Sequence, residues 1–303
     1  MTPTERIAKA SCTTARQGRS LTRIISFFFG CIIAQACLGQ SIGDHTREQH
    51  ISRHGKHADA FINQHEFAFA RLKYNGNSND GWGPRWRVDW PEAETHLLSG
   101  IQRLTRVNAD DEGTLVELLD DSIFDFPWIY AVEVGSLSLS DIEASRMREY
   151  LLRGGFLMVD DFHGPFEWAN FAYMMTRVFP DRDIVDLKKT DAIFSVLYDL
   201  PERQQIPGLR PLRAGRTWER GGNIPHWRGI LDDDGRIMVA INFNMDLGDA
   251  WEHADWPEYP QPYSAMAYRF AINYILYAMT HYCLLYTSPS PRDRTRSRMP
   301  SSA

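Results

Sequence analysis

The chain has 303 residues, and its 33 Lys and Arg against 39 Asp and Glu give a formal net charge of −6. The first 36 residues hold five basic residues and one acidic residue, and the tail from Cys283 holds four and one. The segment between them therefore has 24 basic and 37 acidic residues, a net charge of −13. A surface this acidic repels phosphate backbones, and no cluster of Lys and Arg offsets it, so we expect no nucleic-acid partner.

All the cysteines lie near the ends of the chain. They are Cys12, Cys31, Cys37 and Cys283, and residues 40–282 contain none. The central segment therefore has no disulfide bond, no thiolate metal site and no cysteine nucleophile.

The N-terminus has the pattern of a secretory signal peptide. Basic residues precede a short apolar stretch, Ile24–Ala36, whose last residues are small. This stretch is shorter than the roughly 20 residues that span a bilayer. We expect residues 1–36 to be a cleaved signal peptide and the mature protein to lie in the periplasm or cell envelope. Contact with the membrane is expected only if the segment stays uncleaved as an anchor, or if Cys37 carries a lipid.

Two further segments flank the expected domain. Residues 37–66 are polar and contain five histidines without a clear period, which is typical of a linker. Residues 283–303 are rich in Ser, Pro and Arg and resemble translated sequencing-adapter sequence. We expect this tail to be disordered and outside the fold, so the folded domain is expected over residues 67–282.

Strand signals recur along that domain. Alternating or continuous apolar runs predict strands at residues 67–74, 114–119, 128–135 and 156–159. A hairpin is predicted near the end, with Asp234-Gly235 at its turn and residues 237–242 as its second strand.

Helix signals separate these strands. The first helix is predicted to start at Asp89, before Pro91. Ser140 and Glu143 match a capping box at the start of the second helix, which is expected to stop at Gly154.

Two more helices complete the pattern. One begins near Pro165, and residues 264–281 are apolar nearly all round, which predicts a buried last helix. The alternation of strands and helices predicts an α/β fold with a doubly wound, mostly parallel sheet and helices on both faces.

Four segments of the chain resemble the bacterial domain-of-unknown-function family 4159. They are "RLKYNG", "YLLRGGFLMVDD", "GI…DDGRIMVAINFNMDLGDAW" and "AINYILYAM", and the resemblance covers about residues 67–281. That family is similar in fold to the class I glutamine amidotransferase-like proteins, which are flavodoxin-like. The resemblance implies this fold and export to the envelope, but no known activity.

The turn after residues 156–159 departs from the amidotransferase pattern. Class I amidotransferases carry a catalytic cysteine there, whereas this chain has Asp160-Asp161-Phe162-His163-Gly164. The chain also has no G-x-S-x-G serine elbow. The sequence therefore excludes amidotransferase chemistry that depends on a thiol in this domain.

Polar and aromatic residues follow several predicted strands. Ligands of open α/β sheets bind beyond the carboxyl ends of the strands, so these residues are candidates for ligand binding. They are Tyr74, Asn75, Glu133, Asp160, Asp161, His163, Asp246, Asp249 and Trp251. Carboxylates with one imidazole suit a hard divalent cation or the hydroxyls of a small polar ligand, and no other cofactor is predicted.

Each candidate also has a structural interpretation. Asp161 could cap the following helix, and His163 could be a turn residue. Asp246 and Asp249 could brace their loop through backbone hydrogen bonds, and Trp251 could pack in the core or a lid.

Three functions stay open at this point. The missing nucleophile and the lack of a complete metal motif favour a non-catalytic envelope domain that binds a small polar ligand or an envelope protein. The first alternative is a metal- or carboxylate-dependent hydrolase acting at the carboxyl edge of the sheet. The second is a structural module whose acidic surface only keeps it in solution.

Overall fold

The computed structural model describes residues 65–76 and 83–281. The predicted signal peptide, nearly all of the predicted linker and the tail lie outside the described residues. Within the described ranges, no helix is long and apolar enough to cross a bilayer.

A seven-stranded sheet forms the centre of the domain. Its strands are β1 (Ala70–Leu72), β3 (Thr114–Val116), β4 (Trp128–Val132), β6 (Phe156–Asp160), β7 (Val185–Asp186), β8 (His226–Leu231) and β9 (Ile237–Phe243). Two short strands, β2 (Asn75–Gly76) and β5 (Leu137–Ser138), pair with each other outside it.

The strand order across the sheet is β3-β1-β4-β6-β9-β8-β7. The first five strands in this order run parallel, and β8 and β7 are antiparallel at one edge. The predicted fold class is confirmed, because the five parallel strands follow the flavodoxin-like order. The chain leaves β1 toward one edge and leaves β4 toward the other, so the crevice expected of such sheets lies at the carboxyl ends of β1 and β4.

Helices cover both faces of this sheet. They are α1 (Glu92–Leu104), α2 (Asp141–Leu152), α3 (Gly164–Val178), α4 (Leu209–Arg213), α5 (Leu247–Glu252) and α6 (Gln261–His281). Successive strand residues point to opposite faces. Trp128 and Tyr130 of β4 therefore pack in one core with α1, α5 and α6, and Ile129 and Ala131 pack in the other with α2 and α3.

Several local predictions are confirmed. Ser140 Oγ accepts the N–H of Glu143 at 3.3 Å, and the Glu143 carboxylate accepts the N–H of Ser140 at 2.7 Å, which completes the capping box. The helix that they cap, α2, ends at Leu152, and Gly154 follows it with a positive φ of 111°. β8 and β9 form the expected antiparallel hairpin, with Gly235 at a φ of 81° in its turn.

The strands predicted over residues 67–74 and 114–119 are shorter in the structure, as β1 (Ala70–Leu72) and β3 (Thr114–Val116). Two other predicted boundaries, both beside the candidate site, are also wrong. α1 begins at Glu92 rather than at Asp89, and its N-cap residue is Pro91, with no side-chain capping hydrogen bond. β4 ends at Val132 rather than at Gly135, because Glu133 has a left-handed backbone conformation that cannot continue a strand. Both differences arise at the edge of the sheet where the candidate site lies.

Candidate functional site

The carboxyl ends of the parallel strands lead into residues with left-handed backbone conformations. Glu133 follows β4, Asp161 follows β6 and Asn244 follows β9, with φ values of 53°, 49° and 61°. Asp89, in the loop after β1, has a φ of 61°, and Arg220 has a φ of 46°. Among the described residues, these five are the non-glycine residues with a positive φ. Such conformations are unfavourable and cluster at functional sites, so this edge is the candidate site.

Asp160 is the last residue of β6 and is fully buried. Its Oδ2 accepts hydrogen bonds from the backbone N–H groups of Leu247 at 2.7 Å and Gly248 at 3.0 Å, and from the Tyr130 hydroxyl at 3.1 Å. Its Oδ1 has no hydrogen-bond partner in the described part of the chain. Burial, and next the charge of Asp161, raise the pKa of Asp160 to about 7. The fold therefore uses one oxygen of this carboxylate and leaves the other unsatisfied.

Asp246 and Asp249 stabilise the start of α5. Asp246 Oδ1 accepts the N–H of Asp249 at 2.8 Å and so caps the helix. Asp249 Oδ2 accepts the N–H of Leu209 at 2.6 Å, and its Oδ1 lies 3.3 Å from His253 Nδ1. Both residues therefore brace their loop through hydrogen bonds from backbone N–H groups.

The same two residues form an acidic cluster with Asp89. One carboxylate oxygen each of Asp89, Asp246 and Asp249 lie within 4.8 Å of one another. We call these three residues the aspartate cluster. The Oδ2 atom of Asp89 is buried and has no hydrogen-bond partner in the described ranges.

Two glycines border the aspartate cluster. A Cβ atom on Gly208 would lie 2.5 Å from Asp246 Oδ2 and 2.8 Å from Asp249 Oδ2. A Cβ atom on Gly248 would lie 2.2 Å from Asp89 Oδ2. The backbone therefore approaches the carboxylates at both positions more closely than any residue with a side chain allows.

Asp161 and His163 form a buried pair next to this cluster. Asp161 Oδ1 lies 3.0 Å from His163 Nε2, and His163 Nδ1 has no partner among the described residues. Burial lowers the pKa of His163, so the ring is neutral at pH 7, and burial raises the pKa of Asp161 well above its ordinary value. The interpretation of Asp161 as a cap of α3 is wrong, because Glu167 instead accepts the N–H of His163 at 2.6 Å.

Glu133 lies between two arginines. Its Oε1 accepts a hydrogen bond from Arg85 at 2.9 Å, and its Oε2 lies 3.5 Å from Arg220. Arg220 also donates to Glu167 at 2.6 Å. Burial and the charge of Asp161 raise the pKa of Glu133, the two arginines lower it, and the result is a pKa of about 7. Arg220 therefore connects its own loop to the end of β4 and to the start of α3.

The remaining predicted site residues have other surroundings. The hydroxyl of Tyr74 is buried and donates to the carbonyl oxygens of Val132 and Glu133, each at 2.8 Å. Asn75 is exposed in β2. Tyr74 and Asn75 line a cavity of about 570 Å³ beside the ends of β1 and β3, away from the aspartate cluster. Trp251 is fully buried in the core, so its interpretation as a core residue is confirmed.

Four residues of this edge were not predicted from the sequence. They are Arg85, Asp89, Glu167 and Arg220. Asp89 does not directly follow a strand, because β2 and a short 3-10 helix lie between it and β1, and the sequence assigned it to a helix start. Glu167 and Arg220 carry no comparable signal, because only the tertiary fold brings them to Glu133.

Burial, and next the repulsion between carboxylates, sets the electrostatics of this edge. Burial first, and neighbouring carboxylates next, raise the pKa values of Asp89 and Asp246 well above the ordinary value. Burial would also raise the pKa of Asp249, but hydrogen bonds from His253 and Leu209 hold it below the ordinary value. A cation or a hydrogen-bond donor placed here would favour the charged forms of these carboxylates.

The comparisons with known proteins identify a family but no activity. The model of the family described as domain of unknown function (DUF4159) matches residues 68–279. No curated protein matches the chain. The matched region contains every strand of the central sheet and all of the candidate site. The chain therefore belongs to the DUF4159 family.

Proposed function

We propose that this domain is a non-catalytic ligand-binding module, which takes a small polar or cationic ligand at the carboxyl edge of its sheet. The observation that carries the proposal is the unsatisfied Oδ1 of Asp160, in a side chain that is fully buried. Leaving a buried acceptor without a partner costs about 1–3 kcal/mol, and more for a charged group. Folded proteins rarely retain such a cost, so a bound ligand that supplies the missing donor or positive charge accounts for it.

The turn after β6 supports a relationship to the class I glutamine amidotransferase-like fold without its chemistry. Asp161 has a left-handed conformation between β6 and α3, which is the position of the amidotransferase cysteine. An aspartate there cannot form the thioester that a cysteine forms. We therefore propose that the scaffold keeps the crevice of that fold and uses it for binding.

The proposal also includes export of the domain from the cytoplasm. The basic and apolar pattern of residues 1–36 supports a cleaved signal peptide, and the mature domain would then bind its ligand in the periplasm or envelope. Cell fractionation of a Gram-negative host tests this. The proposal expects a shortened chain in the periplasmic fraction, and a full-length chain in the cytoplasm would contradict it.

A thermal-shift experiment on the full chain tests the binding proposal. The probes are chloride salts of divalent cations, small sugars and polyols, and small amines, each with the parent protein, Asp160→Asn and Asp234→Asn. Asp234 is exposed in the turn between β8 and β9, at the opposite end of the sheet, so it controls for the lost charge. At a ligand concentration of 100 times Kd, binding stabilises a protein by about 2.7 kcal/mol, which gives a clear shift.

The proposal expects at least one probe to raise the melting temperature of the parent and of Asp234→Asn but not of Asp160→Asn. Two results would contradict it. One is that no probe shifts the parent, and the other is that the active probe shifts Asp160→Asn equally.

One observation favours a second candidate function, a carboxylate-dependent hydrolase. Asp161 holds the Nε2 atom of His163 and leaves Nδ1 without a partner, which is the arrangement of an imidazole oriented by a carboxylate to act as a general base. Screening p-nitrophenyl esters and phosphates with the parent and with His163→Asn tests it. Turnover that is lost in His163→Asn would establish the hydrolase and overturn the non-catalytic proposal.

A further inference from the structure

We propose that Asp89, Asp246 and Asp249 together bind one hard divalent cation, either Ca²⁺ or Mg²⁺. This inference rests on the proposed function, because it names the ligand of the same crevice. It adds Asp89, which lies between β2 and α1, to Asp246 and Asp249, which follow β9.

The geometry of the donors fits such an ion. The three carboxylate oxygens lie within 4.8 Å of one another. Oxygens on opposite sides of a bound Ca²⁺ ion lie about 4.6–5.2 Å apart, and those around Mg²⁺ about 4.0–4.2 Å apart. All three donors can therefore contact one ion at the same time, with small adjustments of the side chains.

The hydrogen bonds of Asp246 and Asp89 leave one carboxylate oxygen of each residue available for an ion. Asp246 caps α5 through Oδ1, which leaves its Oδ2 beside Gly208. Asp89 makes no hydrogen bond through Oδ2, although that atom is buried. Asp249 Oδ2 accepts the N–H of Leu209, and its Oδ1 lies 3.3 Å from His253 Nδ1, so this residue would contact an ion through an oxygen that the fold also uses.

Asp160 provides the second, independent observation. Its side chain is fully buried, and its Oδ1 has no partner. Its Oδ2 accepts the N–H of Gly248, the residue whose Cβ position lies 2.2 Å from Asp89 Oδ2. The Asp160 carboxylate thus reaches, through Oδ2, the same glycine that borders the aspartate cluster, and a cation bound there would offset its charge.

The nearest cationic side chains are already engaged. Arg71 is fully buried and pairs with Glu94, and His253 pairs with Asp249 and Glu252. The neighbouring group of Asp249, Glu252 and His253 is therefore an ion pair in which the histidine offsets the carboxylates, and we do not assign a metal to it. The all-oxygen donor set of the aspartate cluster favours a hard ion over Zn²⁺ or Cu²⁺.

Two variants of the full chain test the inference by different means. Asp89→Asn removes one charge from a carboxylate that makes no hydrogen bond through Oδ2. Gly248→Ala keeps every charge but places a methyl group against Asp89 Oδ2, and it suits the helix in which it lies. Asp234→Asn is the matched control for the lost charge.

Calcium chloride and magnesium chloride are titrated into each protein by isothermal calorimetry, with melting temperature as the second readout and zinc chloride as a comparison. We expect a stoichiometry of one ion per chain for the parent and for Asp234→Asn. We expect at least tenfold weaker binding for Asp89→Asn and for Gly248→Ala. Circular dichroism checks that both variants stay folded.

Three results overturn the inference. They are the absence of calcium and magnesium binding to the parent, unchanged binding in both Asp89→Asn and Gly248→Ala, and a clear preference for zinc. If neither ion binds but a sugar or amine shifts the parent and not Asp160→Asn, the cation inference fails and the proposed function stands. If no probe of any kind binds, both fail.

Discussion

Asp160 at the end of β6 accepts the backbone N–H of Gly248 at the start of α5, with a distance of 3.0 Å between Oδ2 and the nitrogen. This hydrogen bond joins the central strand of the sheet to the helix that follows β9. Because Oδ2 carries this structural role and Oδ1 has no partner among the described residues, a substitution can test the proposed ligand contact of Oδ1 while it keeps the structural role of Oδ2. An asparagine keeps one oxygen for the backbone N–H groups and removes the charge.

Asp160→Asn should change the pH dependence of stability. The pKa of Asp160 is raised from 3.8 to about 7 in the folded protein, so the folded state binds the proton more tightly than the unfolded state. The stabilisation from this proton is complete below about pH 4 and is lost as the pH rises through 7. A shift of this size corresponds to a loss on the order of 4 kcal/mol for the ligand-free parent.

The measurement is the melting temperature of parent and Asp160→Asn in chelator-containing buffers between pH 5 and pH 8. We expect the melting temperature of Asp160→Asn, relative to that of the parent, to increase as the pH rises. A constant difference across this range would show that Asp160 does not carry the buried charge assigned to it.

Arg71→Met should destabilise the domain strongly. Arg71 and Glu94 are both fully buried and pair with each other, and Arg71 also donates to the carbonyl oxygens of Trp86 at 3.0 Å and Val88 at 2.8 Å. Removing one partner of a buried ion pair costs about 3–5 kcal/mol, because the other charge stays buried. These contacts also fix the residues that lead into Asp89, so the variant should bind a ligand more weakly.

Urea unfolding of Arg71→Met, Glu94→Gln and the double variant forms a cycle that isolates the pair. We expect the double variant to be less destabilised than the sum of the single variants. Additive losses would mean that the two side chains act independently.

Arg236→Ala should lower the free energy of unfolding by more than the loss of an exposed ion pair does. Arg236 is mostly buried and donates to the carbonyl oxygens of Leu151, Gly154 and Gly155 at 2.7, 3.1 and 3.1 Å, so it fastens the hairpin to the end of α2. Hydrogen bonds that involve a charged group contribute about 1.5–3 kcal/mol, and we expect a loss of about 2–3 kcal/mol.

Arg213→Ala is the control for this prediction. Arg213 is 56 % exposed in its pair with Glu258, and exposed pairs contribute less than about 1 kcal/mol. Equal losses for the two variants in urea unfolding would contradict the structural role of Arg236.

A chain that ends at His281 should be as stable as the full chain. α6 ends at His281 and the family match ends at residue 279, so the shortened chain keeps every element described here. The melting temperatures of the two proteins should agree. A large drop for the shortened chain would show that residues 282–303 pack against the domain.

The elements that could be predicted from the sequence are those with a local physical cause. The apolar run at residues 156–159, the capping box of Ser140 and Glu143, and the Asp234-Gly235 turn each fix a backbone conformation through neighbours in sequence. Their alternation was enough to predict a mostly parallel sheet, because parallel strands need helical crossovers. The carboxyl-edge criterion then led to Asp160, Asp161 and His163.

The residues that could not be predicted lie in loops whose sequence has no periodic apolar pattern. Asp89 adopts a left-handed conformation that an aspartate does not require by itself, and Arg220 lies in a Gly-rich loop. Their places depend on contacts with Gly248 and Glu133, which are distant in sequence. Trp251 is the reverse case, a residue that was predicted at the site and does not lie there. It is close to Asp249 in sequence, but α5 directs its side chain into the core.

The central claim is that the unsatisfied Oδ1 of Asp160 faces a ligand, and a crystal structure tests it most directly. The crystals would contain the full chain with the probe that gives the largest thermal shift. The claim predicts a ligand atom, an ion or an ion-bound water within about 3 Å of Asp160 Oδ1. Density for the probe at another place on the domain, with a protein group on Asp160 Oδ1, would contradict it.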